Sequence, residues 1–194
     1  MYIVGLGNPG EEYKNTRHNA GRLVLEMIAG KNTDFRIDKK ANAHIGNVIL
    51  SEKKTTFILP NTFMNNSGQS VAPYIKSEKD LAKLVVVYDE LDLPIGKIKI
   101  SFNRSSGGHN GMNSIIKVVK SEEFVRIRIG VSPSTPTGKL KKVTGTGKGQ
   151  AFLMKEFTPK QMDELKKVSK VVKEALEVLV SEGKDKAMTI FNGE

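Results

Sequence analysis

The stretch Leu84-Val85-Val86-Val87-Tyr88 constrains the fold more than any other part of the chain. Its five successive apolar or aromatic side chains leave no polar face to turn toward water. A strand of this kind belongs in the middle of a sheet covered on both sides, as parallel sheets are. It runs into Asp89. In open α/β sheets the ligand crevice lies at the carboxyl ends of such strands. Position alone therefore makes Asp89 a candidate site residue.

The remaining pattern interleaves strands and helices. Tyr2 to Leu6 reads as a short buried strand. Asn19 is placed to cap a helix that runs through Leu23, Val24, Met27 and Ile28 and stops at Gly30. His44 to Leu50 and Thr55 to Leu59 read as strands, joined by a hairpin loop Ser51-Glu52-Lys53-Lys54. Asn65-Asn66-Ser67 can cap a short helix ending near Lys76. Lys97 to Phe102 alternates basic and apolar residues, and Phe124 to Val131 carries Arg126 and Arg128 on one face. Between them, the loop Gly107 to Gly111 leads into a helix marked by Ile115, Ile116, Val118 and Val119. Thr158-Pro159 opens the longest helix, with Gln161 completing a capping box and Gly183 ending it. Its apolar stripe is Met162, Leu165, Val168, Val172, Leu176 and Leu179. No repeat or internal linker interrupts the 194 residues. The expectation is an α/β fold: a single compact domain, 1–194, with a twisted, mostly parallel (mixed) β-sheet flanked by α-helices.

Charge and composition narrow the function. Lysine and arginine number 31 against 21 acidic residues, a formal net charge of +10. Such an excess suits a polyanion such as nucleic acid, or an anionic membrane surface; a merely lysine-rich soluble protein is the plain alternative. The absence of cysteine excludes disulfides, thiolate metal sites and cysteine nucleophiles, and it fits a reducing, cytoplasmic setting. No apolar run is long enough for a membrane span. The first residues enter a strand without a basic n-region, so a secretory signal is not expected. Ser132 to Gly149 is rich in Gly, Pro, Thr and Lys and contains no acid, the composition of a mobile basic loop.

Gly5-Leu6-Gly7-Asn8-Pro9-Gly10 matches the spacing of a dinucleotide fingerprint. The context is wrong, because the third glycine should open a helix. Pro9-Gly10 makes a turn instead, and the loop continues to His18. The histidines are His18, His44 and His109. His44 sits in a strand pattern, where packing or solvation accounts for it. His18 lies at a loop-to-helix junction, as a plain polar residue or as a base. Asn65 and Asn110 lie at similar junctions and could simply be N-caps. With no G-x-S-x-G elbow and no cysteine, a covalent nucleophile is not indicated. A histidine base, an aspartate to orient it and amides to hold substrate and water suffice for water attack on an activated ester with a sugar hydroxyl leaving. A metal site is the rival, built from Asp89, Glu90 and Asp92 with His18 or His109, although Asp-Glu-Leu-Asp matches no familiar ligand spacing.

Across nearly its whole length the chain resembles the bacterial-type peptidyl-tRNA hydrolases. The resemblance rests on Gly5 to Gly10, Tyr13 and Thr16 to Gly21, Pro60 to Gly68, Asp89 to Pro94 with Gly96, Gly107 to Gly111, and Arg126 to Gly130. Ala187-Met188 and Phe191-Asn192 fit as well. It implies a monomer that cleaves the ester between peptide and tRNA, without metal or organic cofactor. It implies His18 as general base and Asp89 as its partner. Asn110 would place the water, Asn65 the substrate carbonyl, and Asn8 and Tyr13 would lie near the ester and the terminal adenosine, with Met64 also lining the site. Lys99 and Arg128 match positions that clamp the tRNA 5′-phosphate. Ser101 stands where some relatives have another lysine, so Lys97 or Arg104 would have to share that role. The resemblance also leaves room for a non-catalytic RNA-binding relative on the same fold, or for a hydrolase of another aminoacyl-tRNA ester.

Overall fold

The structure is a computed structural model, and it describes residues 1–135, 139–141, 143 and 147–193. Seven strands form one sheet: β1 (Tyr2–Gly5), β2 (Arg36–Asp38), β3 (Ala43–Leu50), β4 (Lys53–Pro60), β5 (Leu84–Pro94), β6 (Ile98–Phe102) and β7 (Val125–Ser132). Their order is β2-β3-β4-β1-β5-β7-β6. The four central strands β4, β1, β5 and β7 run parallel, while β2-β3-β4 and β6-β7 pair antiparallel at the two edges. This is the mixed, mostly parallel sheet expected from the sequence.

The apolar run of β5 explains the layering. It lies between β1 and β7, so its side chains alternate into two buried layers. Val85 and Val87 join Ile3, Ile127 and Ile129 under α1 (Ala20–Ala29), α6 (Pro159–Ser181) and α7 (Lys184–Phe191). Val86 and Tyr88 join Val4, Ile58 and Phe124 under α2 (Ser67–Val71) and α4 (Asn110–Val119). Two shorter helices, α3 (Glu78–Leu81) and α5 (Lys148–Leu153), complete the set among the described residues. Of these helices, none is long and apolar enough to cross a membrane. The α6 capping box forms as expected: Gln161 N donates to Thr158 Oγ1, and Thr158 N donates to Gln161 Oε1 at 3.0 Å.

Several local expectations need correction. β5 does not stop at Asp89; it stays paired with β7 through Glu90 and, after a register shift, at Pro94. The β3-β4 turn is only Ser51-Glu52, both with positive φ (45° and 62°), as a two-residue hairpin of the primed kind requires. Lys53 and Lys54 therefore belong to the strand. Asn19 occupies the cap position of α1 without capping it, because its amide is committed to the backbone of Asn8. A 3₁₀ turn, Met64–Asn66, leads into α2, which ends at Val71 with no capping side chain. The residue that caps α4 is His109, and Asn110 is the first helical residue. The sequence pattern missed α3, α5 and α7, all of them short. Residues 136–138, 142 and 144–146 of the expected mobile basic loop lie outside the described residues, while Ser134 and Leu140 form an antiparallel bridge. At its end Lys148 opens α5.

One contact positions the site. A Cβ on Gly21 would stand 2.1 Å from the carbonyl oxygen of Val87. Only a glycine lets the first turn of α1 press so closely onto β5. Leu6 N also donates to that same carbonyl at 3.0 Å. The residues preceding α1 are thereby held beside the far half of β5. Gly21→Ala is expected to destabilise the protein by roughly 1–3 kcal/mol, the usual cost of forced overpacking. Urea unfolding measures this, and an unchanged midpoint would show that the approach is not tight.

Candidate active site

Asp89 leaves β5 with its side chain almost wholly buried, 2 % exposed for the residue. An ionised carboxylate in such a place needs hydrogen-bond donors. It has two imidazoles. His18, in the 3₁₀ turn Arg17–Asn19, sets Nδ1 3.0 and 3.1 Å from the two carboxylate oxygens. His109 sets Nε2 3.0 Å from Oδ1. The rings lie 5.0 Å apart between centroids, and Tyr88 packs edge-on against His109 at 4.8 Å.

The hydrogen bonds fix where the protons sit. His109 Nδ1 accepts from Met112 N at 3.3 Å, the capping bond of α4. The proton of a neutral His109 is then on Nε2, donated to Asp89. For His18 the carboxylate can only accept, so Nδ1 carries its proton, and Nε2 keeps a free lone pair. Burial pushes the His18 pKa down, but the charge of Asp89 and its hydrogen bond outweigh this, so the pKa stands above its ordinary 6.5. Asp89 behaves reciprocally. Burial opposes its ionisation, yet the two histidines hold its pKa well below the ordinary carboxylate value.

Arg17 secures the turn that carries His18. It is buried, and its Nη1 donates to the carbonyls of Lys155 and Glu156, both at 2.9 Å. Its Nη2 donates to Gln161 Oε1 at 2.8 Å, and its guanidinium lies 4.4 Å over the Phe152 ring. The turn that carries His18 is thus tied to the segment leading into α6.

His18, Asp89, Glu90, His109, Asn110 and Gln150 are among the residues around a cavity of about 410 Å³. Asn8 lines a separate cavity of about 320 Å³ with Asn19, Arg22, His44 and Asn61. Its Oδ1 accepts from Met64 N at 2.8 Å, so it braces the segment that carries Asn65. Asn65 and Asn110 are exposed. Met64 is buried at 4 % exposure within the core layer under α4, so it supports the site more than it lines it. Tyr13 meets the exposed Phe63 edge to face at 6.4 Å. A larger cavity, about 1010 Å³, borders Met1 and Val125 at the other end of the sheet.

Among the described residues, His18, Asp89 and His109 are the group whose ligand atoms gather within 4.8 Å. Two imidazoles and a carboxylate can hold a divalent ion such as zinc. Here, however, two N–H protons already satisfy the carboxylate, and an ion would have to displace both. Glu90 faces Arg128 instead, and the Asp89-Glu90-Asp92 cluster considered from the sequence does not assemble.

On β6 and β7, Lys99 pairs in register with Arg128, and Ser101 with Arg126. Lys99 is exposed. Arg128 is 6 % exposed, with Nη1 3.0 Å from Glu90 Oε2. Arg126 departs from the expected basic surface. It is wholly buried, donates to the carbonyls of Glu122 and Phe124 and stacks 4.2 Å over the Phe124 ring. It is no contact for an external phosphate.

A peptidyl-tRNA hydrolase family model matches residues 2–194. The chain belongs to the peptidyl-tRNA hydrolase family. A family member from Carboxydothermus hydrogenoformans is 39 % identical over 194 residues, covering 99 % of this chain and 98 % of that one. One from Fervidobacterium nodosum is 38 % identical, covering 99 % and 96 %. The crystal structure of peptidyl-tRNA hydrolase from Acinetobacter baumannii superposes with a TM-score of 0.85 at 29 % identity, covering 98 % of this chain and 93 % of the other. Within this family fold, His109 beside Asp89 is the residue that sequence reasoning considered only as a possible metal ligand. Otherwise it was visible only as part of the Gly107 to Gly111 motif. Its contact to Asp89 spans 20 residues, and no local periodicity encodes it.

The proton assignment is directly testable. Nitrogen NMR of the histidine side chains should show His18 titrating above 6.5, with its neutral form protonated at Nδ1 and that of His109 protonated at Nε2. A neutral His18 protonated at Nε2 would contradict the arrangement.

Proposed function

We propose that this chain hydrolyses the ester between a peptide and the 3′-terminal ribose of tRNA, with His18 as general base. The observation that carries the reading is the contact of His18 Nδ1 with both oxygens of a buried Asp89. It holds the ring at one nitrogen and leaves the other free for a water molecule. His18 Nε2 takes a proton as the water oxygen adds to the ester carbonyl carbon. The imidazolium that forms is stabilised by the carboxylate behind it. The ester C–O bond then breaks, the 3′-oxygen regains a proton from His18, and peptide and tRNA separate. Asp89 orients the base. His109 keeps the carboxylate ionised and in place. Asn110 places the water, Asn65 the carbonyl, and Asn8 and Tyr13, with Met64 behind them, shape the site for the ester and terminal adenosine.

The partner is peptidyl-tRNA, engaged at its 3′ end, acceptor stem and 5′-phosphate. The net charge of +10 supports a polyanionic substrate. Lys99 and Arg128, adjacent in register, form the phosphate clamp in this reading. Ser101 next to them supplies no charge, so Lys97 and Arg104 are the cations left to share the contact. The enzyme acts in the cytoplasm as a monomer of one domain, 1–194, and needs no cofactor.

The deciding experiment is hydrolysis of N-acetyl-aminoacyl-tRNA against free aminoacyl-tRNA. The blocked substrate should be cleaved far faster, and equal rates would point to a different ester. His18→Ala should lose roughly 10²–10⁴-fold in turnover, the share of a positioned base; near wild-type turnover would remove His18 from the mechanism. EDTA should leave the rate unchanged. A loss restored by zinc would assign the His18–Asp89–His109 group to a metal instead. Lys99→Ala and Arg128→Ala should raise KM for whole tRNA substrates and leave short 3′-terminal fragments little affected. Equal losses on both would refute the clamp.

A further inference from the structure

Arg128 already has an anion. Glu90 Oε2 sits 3.0 Å from its Nη1, and the two side chains are 19 % and 8 % exposed. The pair is adjacent because Tyr88 lies opposite Arg128 and Glu90 opposite Gly130, so Arg128 and Glu90 project from the same face of neighbouring strands. Gly130 adds no side chain between them; a Cβ there would meet the Pro94 carbonyl at 2.0 Å. A ligand phosphate that reaches Arg128 therefore meets a carboxylate already in place.

The carboxylate uses the guanidinium only in part. Arginine presents a planar fork suited to two parallel bonds. Glu90 bonds one nitrogen, Nη1, and its other oxygen, Oε1, accepts from Asp92 N at 3.0 Å. Arg128 Nε is buried without a partner, and so is the Ser101 hydroxyl on β6. Arg128 Nε is thus a buried donor in want of an acceptor, which a fully matched ion pair would not leave unsatisfied. Glu90 also borders the cavity shared with His18 and Asn110, which gives its side chain space to move into.

We propose that Glu90 is a specificity-determining residue: by occupying Arg128 it restricts that position to terminal phosphate monoesters and refuses the internal diesters of RNA. This rests on the reading of Lys99 and Arg128 as a phosphate clamp. Exchange of one singly charged carboxylate for one singly charged diester gains no charge pairing. A monoester carries about −1.5 to −2 at neutral pH and has three acceptor oxygens. It gains charge on displacing Glu90, and its extra oxygens can satisfy Nε. An RNA chain offers many diesters and one 5′ monoester. Without Glu90, Arg128 would hold the backbone in many registers; with it, the chain end is favoured.

The test is binding of one RNA acceptor hairpin, made with a 5′-phosphate and with a 5′-hydroxyl, to wild type, Arg128→Ala, Glu90→Gln and Asp92→Asn. Asp92→Asn removes the same charge two residues away, where the side chain makes no ion pair with Arg128. In wild type the phosphorylated hairpin should bind more tightly, and Arg128→Ala should weaken that form. Glu90→Gln should tighten the 5′-hydroxyl hairpin about tenfold, the effect of one charge-assisted hydrogen bond. The slope of its log affinity against log salt should steepen by about one. Asp92→Asn should do neither. If Glu90→Gln leaves the 5′-hydroxyl hairpin unchanged, or if Asp92→Asn matches it, the role of Glu90 is overturned while the clamp stands. If Arg128→Ala fails to weaken the phosphorylated hairpin, the clamp itself fails, and the role of Glu90 with it. Thermal melts accompany each variant, and Glu90→Ala, which removes the carboxylate outright, gives a second reading should Glu90→Gln melt early.

Discussion

The rest of the site depends on one buried carboxylate held by two imidazole donors. Asp89 could not stay ionised at 2 % exposure without them. His18 gives it one N–H and His109 another, and each bond fixes the histidine that makes it. His109 is fixed twice, because its second nitrogen caps α4. The same hydrogen bonds thus keep a charge in the interior, start a helix and choose the tautomer of His18. Loss of the carboxylate would release both rings together.

The scaffold supplies what this geometry demands. Asp89 comes from the central strand, whose apolar run is buried on both faces. His18 comes from a turn that cannot hold itself. Gly21 lets α1 press onto β5, and Arg17 ties the turn to the backbone before α6. Asn19 and Asn8 join the two ends of the connection between β1 and α1, and Asn8 in turn holds Met64. Apart from Gly21, each link is a side chain bonded to a backbone group elsewhere in the chain. A loop built this way has few alternative conformations, which lowers the cost of ordering the base.

The fold was legible because its main signals are local. The run Leu84 to Tyr88 announced a central strand, and Thr158-Pro159 with Gln161 announced the start of α6. The errors were also local in kind. Ser51-Glu52 lacks the Asn-Gly chemistry of a primed turn, so the hairpin was read too long. Asn19 has the right residue type for a cap, but a tertiary partner claimed it. Arg126 looked like a surface cation because alternation gives its face without saying what covers it. In the site, Asp89 was visible as the end of an apolar strand, whereas His18 stood out only through a family resemblance. The place of His109 depends on a loop folding back across the end of β5, which no spacing reveals.

The central claim is that Asp89 sets the basicity of His18 and thereby the pH range of the reaction. The raised His18 pKa places the acidic limb of kcat/KM above 6.5 in the wild type. Asp89→Asn keeps the shape and removes the charge, so burial alone remains to act on His18 and lowers its pKa. The measurement is kcat/KM against pH for wild type and Asp89→Asn with N-acetyl-aminoacyl-tRNA. A lower plateau, with the acidic limb moved toward lower pH, is the expected result. An acidic limb that stays in place while the melting temperature falls would mean that Asp89 is structural, and it would contradict the account.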